Sequence, residues 1–237
     1  MTTTFHSTRS TTDSLTAKQA IRKGIADDGG LFVSDALGKT KVDVASLPGK
    51  SYQQIAAEVL GALLPDFTAE ELGQCIADAY GEQWSDERIT PLKPLGDDYV
   101  LELFNGPTSA FKDVALQILP RFMAHTTPAD GDADEKIMIL TATSGDTGSS
   151  AEYALRGRPG LSVVMLTPAG RMTAFQRAQM FSLLDSNIVN VAVDGVFDDC
   201  QDLVKAVNMD ADFKATWHVG AVNSINWARL LSQVCYY

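Results

Sequence analysis

Beyond about Leu95 the chain settles into one rhythm, in which a short apolar run is followed by a loop of small or polar residues and then by a segment with helical spacing. Tyr99–Phe104 reads as a strand and Ala110–Ala124 as a helix kinked at Pro120. Lys136–Thr141, Leu161–Leu166 and Ile188–Val193 read as further strands, alternating with helices over Ser149–Arg156, Thr173–Leu184 and Asp198–Asn208. Leu161–Leu166 is almost continuously apolar, as suits a strand buried on both faces. This alternation predicts a doubly wound parallel sheet whose ligands sit at the carboxyl ends of its strands.

The first part of the chain reads as a largely helical unit. A helix is expected over Leu15–Ala26, closed by Asp27-Asp28-Gly29-Gly30, with a short strand at Leu31–Val33. Tyr52–Leu63 has Ile55, Val59 and Leu63 on one face, and Thr68 with Glu71 forms a capping box for a helix running to about Tyr80. The segment Met1–Thr12 is too polar to assign. Pro91–Pro94 marks the exit from this unit, so two domains are expected, 1–95 and 96–237. Ser224–Tyr237 has a helical pattern with neither a glycine cap nor a polar tail, and reads as an element cut short.

Lys112 stands out within the stretch Asn105-Gly106-Pro107-Thr108-Ser109-Ala110-Phe111-Lys112-Asp113. Gly106-Pro107 makes a turn, Thr108 or Ser109 can cap the helix that follows, and Lys112 falls in its first turn. The helix dipole disfavours an ammonium there, by about 0.3–1 kcal/mol if exposed. Ala110, Phe111 and Leu116 add desolvation, which favours the neutral amine. A neutral amine is a nucleophile able to form a Schiff base with a carbonyl cofactor. The competing reading is a surface lysine lying along a core helix, with Asp113 as its solvated neighbour.

A second loop, Thr141-Ala142-Thr143-Ser144-Gly145-Asp146-Thr147-Gly148-Ser149, joins a strand to a helix. It matches neither nucleotide-binding glycine pattern. Its glycines allow inward-turned N–H groups and the helix terminus adds positive potential, which makes an anion cradle; a well-capped turn explains the same residues.

Composition narrows the partners. With 19 basic and 30 acidic residues, a net charge of -11 and a pI near 4.6, the chain offers no surface for nucleic acid or an anionic membrane. An anionic small molecule needs a local basic pocket. Cys75, Cys200 and Cys235 have neither zinc-ligand nor disulfide spacing, and His6, His125 and His218 share no ligand spacing, so no metal is expected. Buried thiols, no spanning apolar run and no signal-peptide core point to the cytoplasm.

The two loops, together with Gly170-Arg171 followed by Gln176, Asp198-Asp199-Cys200-Gln201 and Asn223-Ser224-Ile225-Asn226-Trp227-Ala228-Arg229, resemble threonine synthase of the bacterial and yeast kind. Ser7-Thr8-Arg9 and Asp28-Gly29-Gly30-Leu31 fit the same family, so the likeness runs from end to end. It implies a pyridoxal-phosphate enzyme of the tryptophan-synthase-like fold (fold type II), a three-layer α/β/α arrangement with a parallel sheet behind a mostly helical N-terminal domain. The implied reaction converts O-phospho-L-homoserine and water to L-threonine and phosphate by γ-elimination and β-hydration.

By position the resemblance makes Lys112 the cofactor-linking lysine, places Asp146 beside the ring oxygen of the cofactor, and gives the substrate carboxylate to Thr143, Ser144 and Thr147. Many relatives carry asparagine where Asp146 stands, and a carboxylate beside a phenolate implies a shared proton or a shifted contact. For the substrate phosphate Arg171 is the first candidate and Arg9 and Arg229 weaker ones, since a guanidinium grips phosphate bidentately. Arg171 also reads simply as an exposed loop charge.

The family pattern continues beyond the position of Tyr237 with a glycine-rich cofactor-phosphate loop and a pyridine-nitrogen partner, neither present here. The C-terminal part of the large domain is therefore expected to be absent, with activity belonging to a longer polypeptide and this chain alone inactive. Two alternatives stay open: a related phospholyase releasing 2-ketobutyrate, and a non-catalytic remnant acting as an interaction module.

Overall fold

The computed structural model describes residues 4–126 and 136–237. The expected acidic loop over Pro128–Glu135 lies outside the described residues. The chain opens with strands β1 (Phe5–Ser7) and β2 (Ser10–Leu15), followed by helix α1 (Ala17–Lys23) and strand β3 (Phe32–Ser34). These strands form an antiparallel sheet ordered β2-β1-β3. The polar opening is thus strand, and Leu15 ends β2 instead of starting a helix. Thr16 is the reason: its side chain accepts from the Gln19 N–H while Gln19 reaches back to the Thr16 N–H, so the helix starts at Ala17.

Helices α2 (Tyr52–Leu63) and α3 (Ala69–Ala79) follow, each opened by a capping box, from Ser51 and Thr68 respectively. Strands β4 (Leu92–Leu95) and β5 (Asp98–Leu101) then pair antiparallel as a separate hairpin. This corrects the expected strand Tyr99–Phe104, which ends at Leu101 and does not join the parallel sheet. Gly96, at φ +63°, turns β4 back onto β5. The boundary proposed near Leu95 falls at that turn.

Helix α4 (Lys112–Ala124) runs through Pro120 and is buried from Asp113 to Met123. It packs on α3, on α1 and on the elements below, so a single hydrophobic core extends from Phe5 to Cys235. Next come β6 (Ile137–Ala142), α5 (Asp146–Leu155), β7 (Leu161–Pro168), α6 (Ala174–Phe181), β8 (Ile188–Val193) and α7 (Phe197–Met209). The alternation expected from Lys136 onward is present, with ends shifted by up to three residues. Helix α8 (Ala211–Trp217) and strand β9 (Val219–Gly220), unread in the sequence, come before α9 (Trp227–Leu231) and a 3-10 turn over Ser232–Tyr236.

The parallel sheet has the order β8-β7-β6-β9. Ile137–Ala142 pairs in register with Leu161–Leu166, and β9 joins the other side of β6 at Met138 and Ile139. Helix α7 packs against β6 and β7, while α5 packs against β7, α4 and α6, giving the three-layer α/β/α arrangement. The chain moves outward from β6 to β8 and then returns to its opposite side, so the strand order reverses at β6. The crevice at such a reversal, beyond the carboxyl ends of the strands, is where ligands bind in open α/β sheets.

No helix among the described residues is long and apolar enough to cross a membrane.

Candidate active site

A cavity of about 630 Å³ opens at the carboxyl end of β6. Its walls include Phe111 and Lys112 from the start of α4, Thr141 to Ser144, Asp146 and Thr147 from the β6–α5 loop, and Gln176 from α6. Phe197, Gln201, Val204 and Lys205 from α7 complete one wall, and Asn223, Ser224, Arg229, Leu230 and Gln233 another. The cavity thus gathers Lys112, Thr143, Ser144, Asp146 and Thr147, separated by up to 35 positions in the chain. Its volume suits a drug-sized or cofactor-sized ligand.

Lys112 is set by the loop before it. The expected Thr108 or Ser109 cap is replaced: α4 begins after Phe111 with no side-chain cap, and Asp113 works backwards into the loop. The buried Asp113 carboxylate accepts from the Thr108 N–H and the Thr108 hydroxyl, both at 2.7 Å. The Thr108 Oγ1 in turn lies 2.9 Å from the Ser150 hydroxyl of α5. Asp113 is therefore no solvated neighbour, and burial raises its carboxyl above the ordinary value while the Thr108 groups oppose the rise. Ser109 is held at φ +58°, a left-handed conformation that costs a non-glycine residue about 1 kcal/mol or more. The Thr108–Asp113 clamp holds that strain in place and aims Lys112 at the cavity.

The Lys112 ammonium lies 3.3 Å from Asp146 Oδ2 and 5.0 Å from the centre of the Phe111 ring. Asp146 Oδ1 accepts from Gln176 Nε2 at 2.8 Å. The Gln176 hydrogen bond, followed by the Lys112 charge, holds the Asp146 carboxyl below its ordinary value. Gln176 itself is fixed by a capping box in which Thr173 opens α6. This helix was legible in the sequence without its box, and the reach of Gln176 to Asp146 bridges 30 positions.

Thr143 is buried, and its Oγ1 accepts from the Gly145 N–H at 3.1 Å and the Gly148 N–H at 2.9 Å. This hydroxyl therefore builds the start of α5, and Thr143 also lines the cavity. Ser144 and Thr147 make no side-chain hydrogen bond among the described residues and line the cavity. Gly145, at φ +155°, has no room for a Cβ, which would sit 2.1 Å from Gln176 Nε2. Any side chain there displaces the amide that holds Asp146.

The three candidate arginines lie in different places. Arg171 does not line the cavity: its Nε donates to the Gly195 carbonyl at 3.0 Å on the exposed loop after β7. Arg9 is likewise elsewhere, donating to the Asp28 carbonyl. Arg229 is the arginine that reaches the cavity wall, because the β9–α9 connection folds back beside β6. Lys205 joins it from α7. Arg229 was a weaker candidate in the sequence and Lys205 was not read there, because local sequence cannot report which loop returns to the reversal of strand order.

Removing the anion beside Lys112 has a direct consequence. Asp146 engages the Lys112 amine at 3.3 Å and holds it in one orientation. In the Asp146→Asn chain, adduct formation at Lys112 with a simple aldehyde, trapped by borohydride at pH 7, is expected to rise severalfold. A rate equal to that of the unsubstituted chain would show that the contact has no hold on the amine.

Comparison with known proteins adds an independent line. The family described as "Threonine synthase N terminus" matches residues 4–80. A threonine synthase from Corynebacterium glutamicum is 50% identical over 224 residues, covering 90% of this chain and 45% of that protein. One from Methylobacillus glycogenes is 47% identical, covering 98% of this chain and 50% of that protein. Among solved structures, a pyridoxal-phosphate-bound threonine synthase from Brucella melitensis superposes with a TM-score of 0.88 at 37% identity, covering 99% of this chain and 50% of that one. The yeast threonine synthase superposes with a TM-score of 0.86 at 38% identity. The chain spans about half the length of the curated relatives it matches.

Proposed function

We propose, from a chain related to threonine synthases along nearly its whole length, that this protein carries the lysine side of a pyridoxal-phosphate site. The activity to which it contributes is the conversion of O-phospho-L-homoserine and water to L-threonine and phosphate. The observation that carries this reading is the amine of Lys112 beside Asp146 and the Ser144–Thr147 hydroxyls, in one cavity at the reversal of strand order. A division into 1–95 and 96–237, assignment to fold type II and a cytoplasmic location belong to the same proposal.

The residues present fit the cofactor's carbonyl side. They supply the Lys112 amine at the wall, a carboxylate in contact with it, free hydroxyls and a volume of about 630 Å³. Lys112 would hold the cofactor covalently and Asp146 would lie beside its ring oxygen. When bound, pyridoxal phosphate supplies an electron sink for the pair of electrons left at the substrate α carbon. Lys112 would take a proton at the substrate α carbon and return one as phosphate leaves the γ carbon and water adds at the β carbon. Ser144 and Thr147 would orient the substrate carboxylate with the backbone of their loop. Thr143, its hydroxyl engaged by Gly145 and Gly148, contributes by shaping that loop.

The test is covalent and needs no turnover. Incubation of the chain with pyridoxal phosphate followed by borohydride is expected to leave a reduced adduct on the peptide containing Lys112, and Lys112→Arg is expected to remove it. An adduct spread evenly over surface lysines, with none concentrated at Lys112, would overturn the reading.

A further inference from the structure

Far from the Lys112 cavity, at the other end of α4, two arginines lie close together. Arg121 stands nine residues beyond Lys112 on that helix, about 13 Å at the α-helical rise, and does not line the cavity. Arg158 follows the end of α5. Its charge acts on Arg121, while Asp78 and Cys75 of α3 act on both arginines, so the packing of α4 against α3 and α5 brings these side chains to one place.

Donors outnumber acceptors in this cluster. Arg121 is 9% exposed; its Nη1 donates to the Gln117 carbonyl one turn earlier, and its Nε is buried without a partner among the described residues. Gln117, on the same face of α4, is 3% exposed, and its Nε2 is likewise buried without a partner there. Arg158 is half-buried, with its Nε donating to the Ala154 carbonyl at 2.6 Å. Asp78 is the carboxylate that acts on both arginines, yet it is exposed, pairs with neither and accepts from Gln74 Nε2 at 2.8 Å. Arginine is rarely buried unless paired, because an isolated charge loses its hydration without compensation. Burial, followed by the Arg158 charge, brings the Arg121 guanidinium down to about 10, which leaves it a cation at neutral pH.

We propose that Arg121, Arg158 and the Gln117 amide form an anion site separate from the Lys112 cavity, for a single inorganic oxoanion the size of sulfate. Such an ion offers oxygens to the two donors that lack acceptors, Arg121 Nε and Gln117 Nε2, and separates two guanidiniums that otherwise repel. Asp78 on the flank sets the limit of charge, since one carboxylate against two guanidiniums leaves room for a small anion and repels a polyanion. The near-complete burial of Arg121 sets the limit of size. The site shares no residue with the Lys112 cavity and does not rest on the reading given above.

Two measurements on the full chain decide it, both with sulfate as the probe and chloride at equal ionic strength as the reference. In phenylglyoxal labelling read peptide by peptide, sulfate is expected to slow modification of Arg158 severalfold and to leave Arg171, on its outer loop, at its chloride rate. In calorimetric titration, Arg121→Met is expected to weaken sulfate binding by about tenfold or more and Arg158→Gln severalfold, while Arg171→Gln keeps the affinity of the unsubstituted chain. Sulfate held in the Lys112 cavity instead would leave Arg158 labelling unchanged and would bind Arg121→Met as tightly as the unsubstituted chain; either result overturns the proposal. Should Arg121→Met fail to fold by circular dichroism, undiminished sulfate affinity in Arg158→Gln, a substitution nearer the surface, overturns it equally.

Discussion

Replacing Glu152 by Gln is expected to stabilise the protein at pH 8 by several kcal/mol and to leave it nearly unchanged at pH 4.5. Glu152 lies in α5 and is fully buried, and neither of its carboxylate oxygens has a hydrogen-bond partner among the described residues. Burial pushes its carboxyl up to about 8 from the ordinary 4.5, with Asn190 of β8 close enough to offset the rise only slightly. The folded chain therefore retains a proton that the unfolded chain loses above about pH 4.5. Stability contributed by that proton is complete below the unfolded value and declines as the pH climbs to the folded one. Each unit of separation is worth about 1.4 kcal/mol, so the total decline is on the order of 5 kcal/mol.

Glutamine has nearly the same shape, carries no charge and brings an N–H group towards the Asn190 Oδ1, itself buried without a partner. The substitution should flatten the slope of stability against pH between 5 and 8, while other groups such as Asp113 keep their own dependence. Urea denaturation at both pH values measures it. A variant with the same slope as the unsubstituted chain would mean that Glu152 is ionised or hydrated in the fold.

Gly106→Ala is expected to cost about 2–4 kcal/mol and to suppress the Lys112 adduct with pyridoxal phosphate, through the clamp that shapes the loop. A Cβ at position 106 would lie 2.5 Å from Asp113 Cβ and 2.6 Å from its Oδ2. Asp113 cannot retreat, because it is buried at the start of α4 with its carboxylate locked to Thr108. Overpacking of this kind costs about 1–3 kcal/mol, and a buried N–H stripped of its acceptor about as much again. As Thr108 comes loose, the left-handed Ser109 relaxes and Lys112 turns away from Asp146.

Gly73→Ala supplies the contrast. Gly73 lies within α3 and a Cβ there meets nothing within 4 Å, so alanine should stabilise by up to about 1 kcal/mol through helix propensity. If Gly106→Ala were as harmless, with its Lys112 adduct intact, the clamp would have no part in placing the lysine.

What could be read without the fold was whatever local hydrogen bonding and periodicity control. The capping box at Thr68, the almost continuously apolar strand at Leu161 and the small-residue loop after Thr141 all state their structure within a few positions. Their sum was enough to specify a parallel sheet and to direct attention to Lys112 and the loop of Asp146. Tyr99–Phe104 has the same local signal as the sheet strands, and only its pairing with Leu92–Leu95 across the Gly96 turn separated it from them. Strand pairing depends on distant partners, so an apolar run cannot declare its sheet.

The site divided along the same line. Chain order supplied the residue types, an early-helix lysine and a hydroxyl-rich turn. Tertiary structure alone decided which charges meet: Asp113 turned inward to Thr108, Gln176 reached Asp146 across 30 positions, Arg171 stayed on an outer loop and Arg229 came to the cavity. Charge acts through space and is weakened by water, so its meaning depends on neighbours and burial that chain order does not contain.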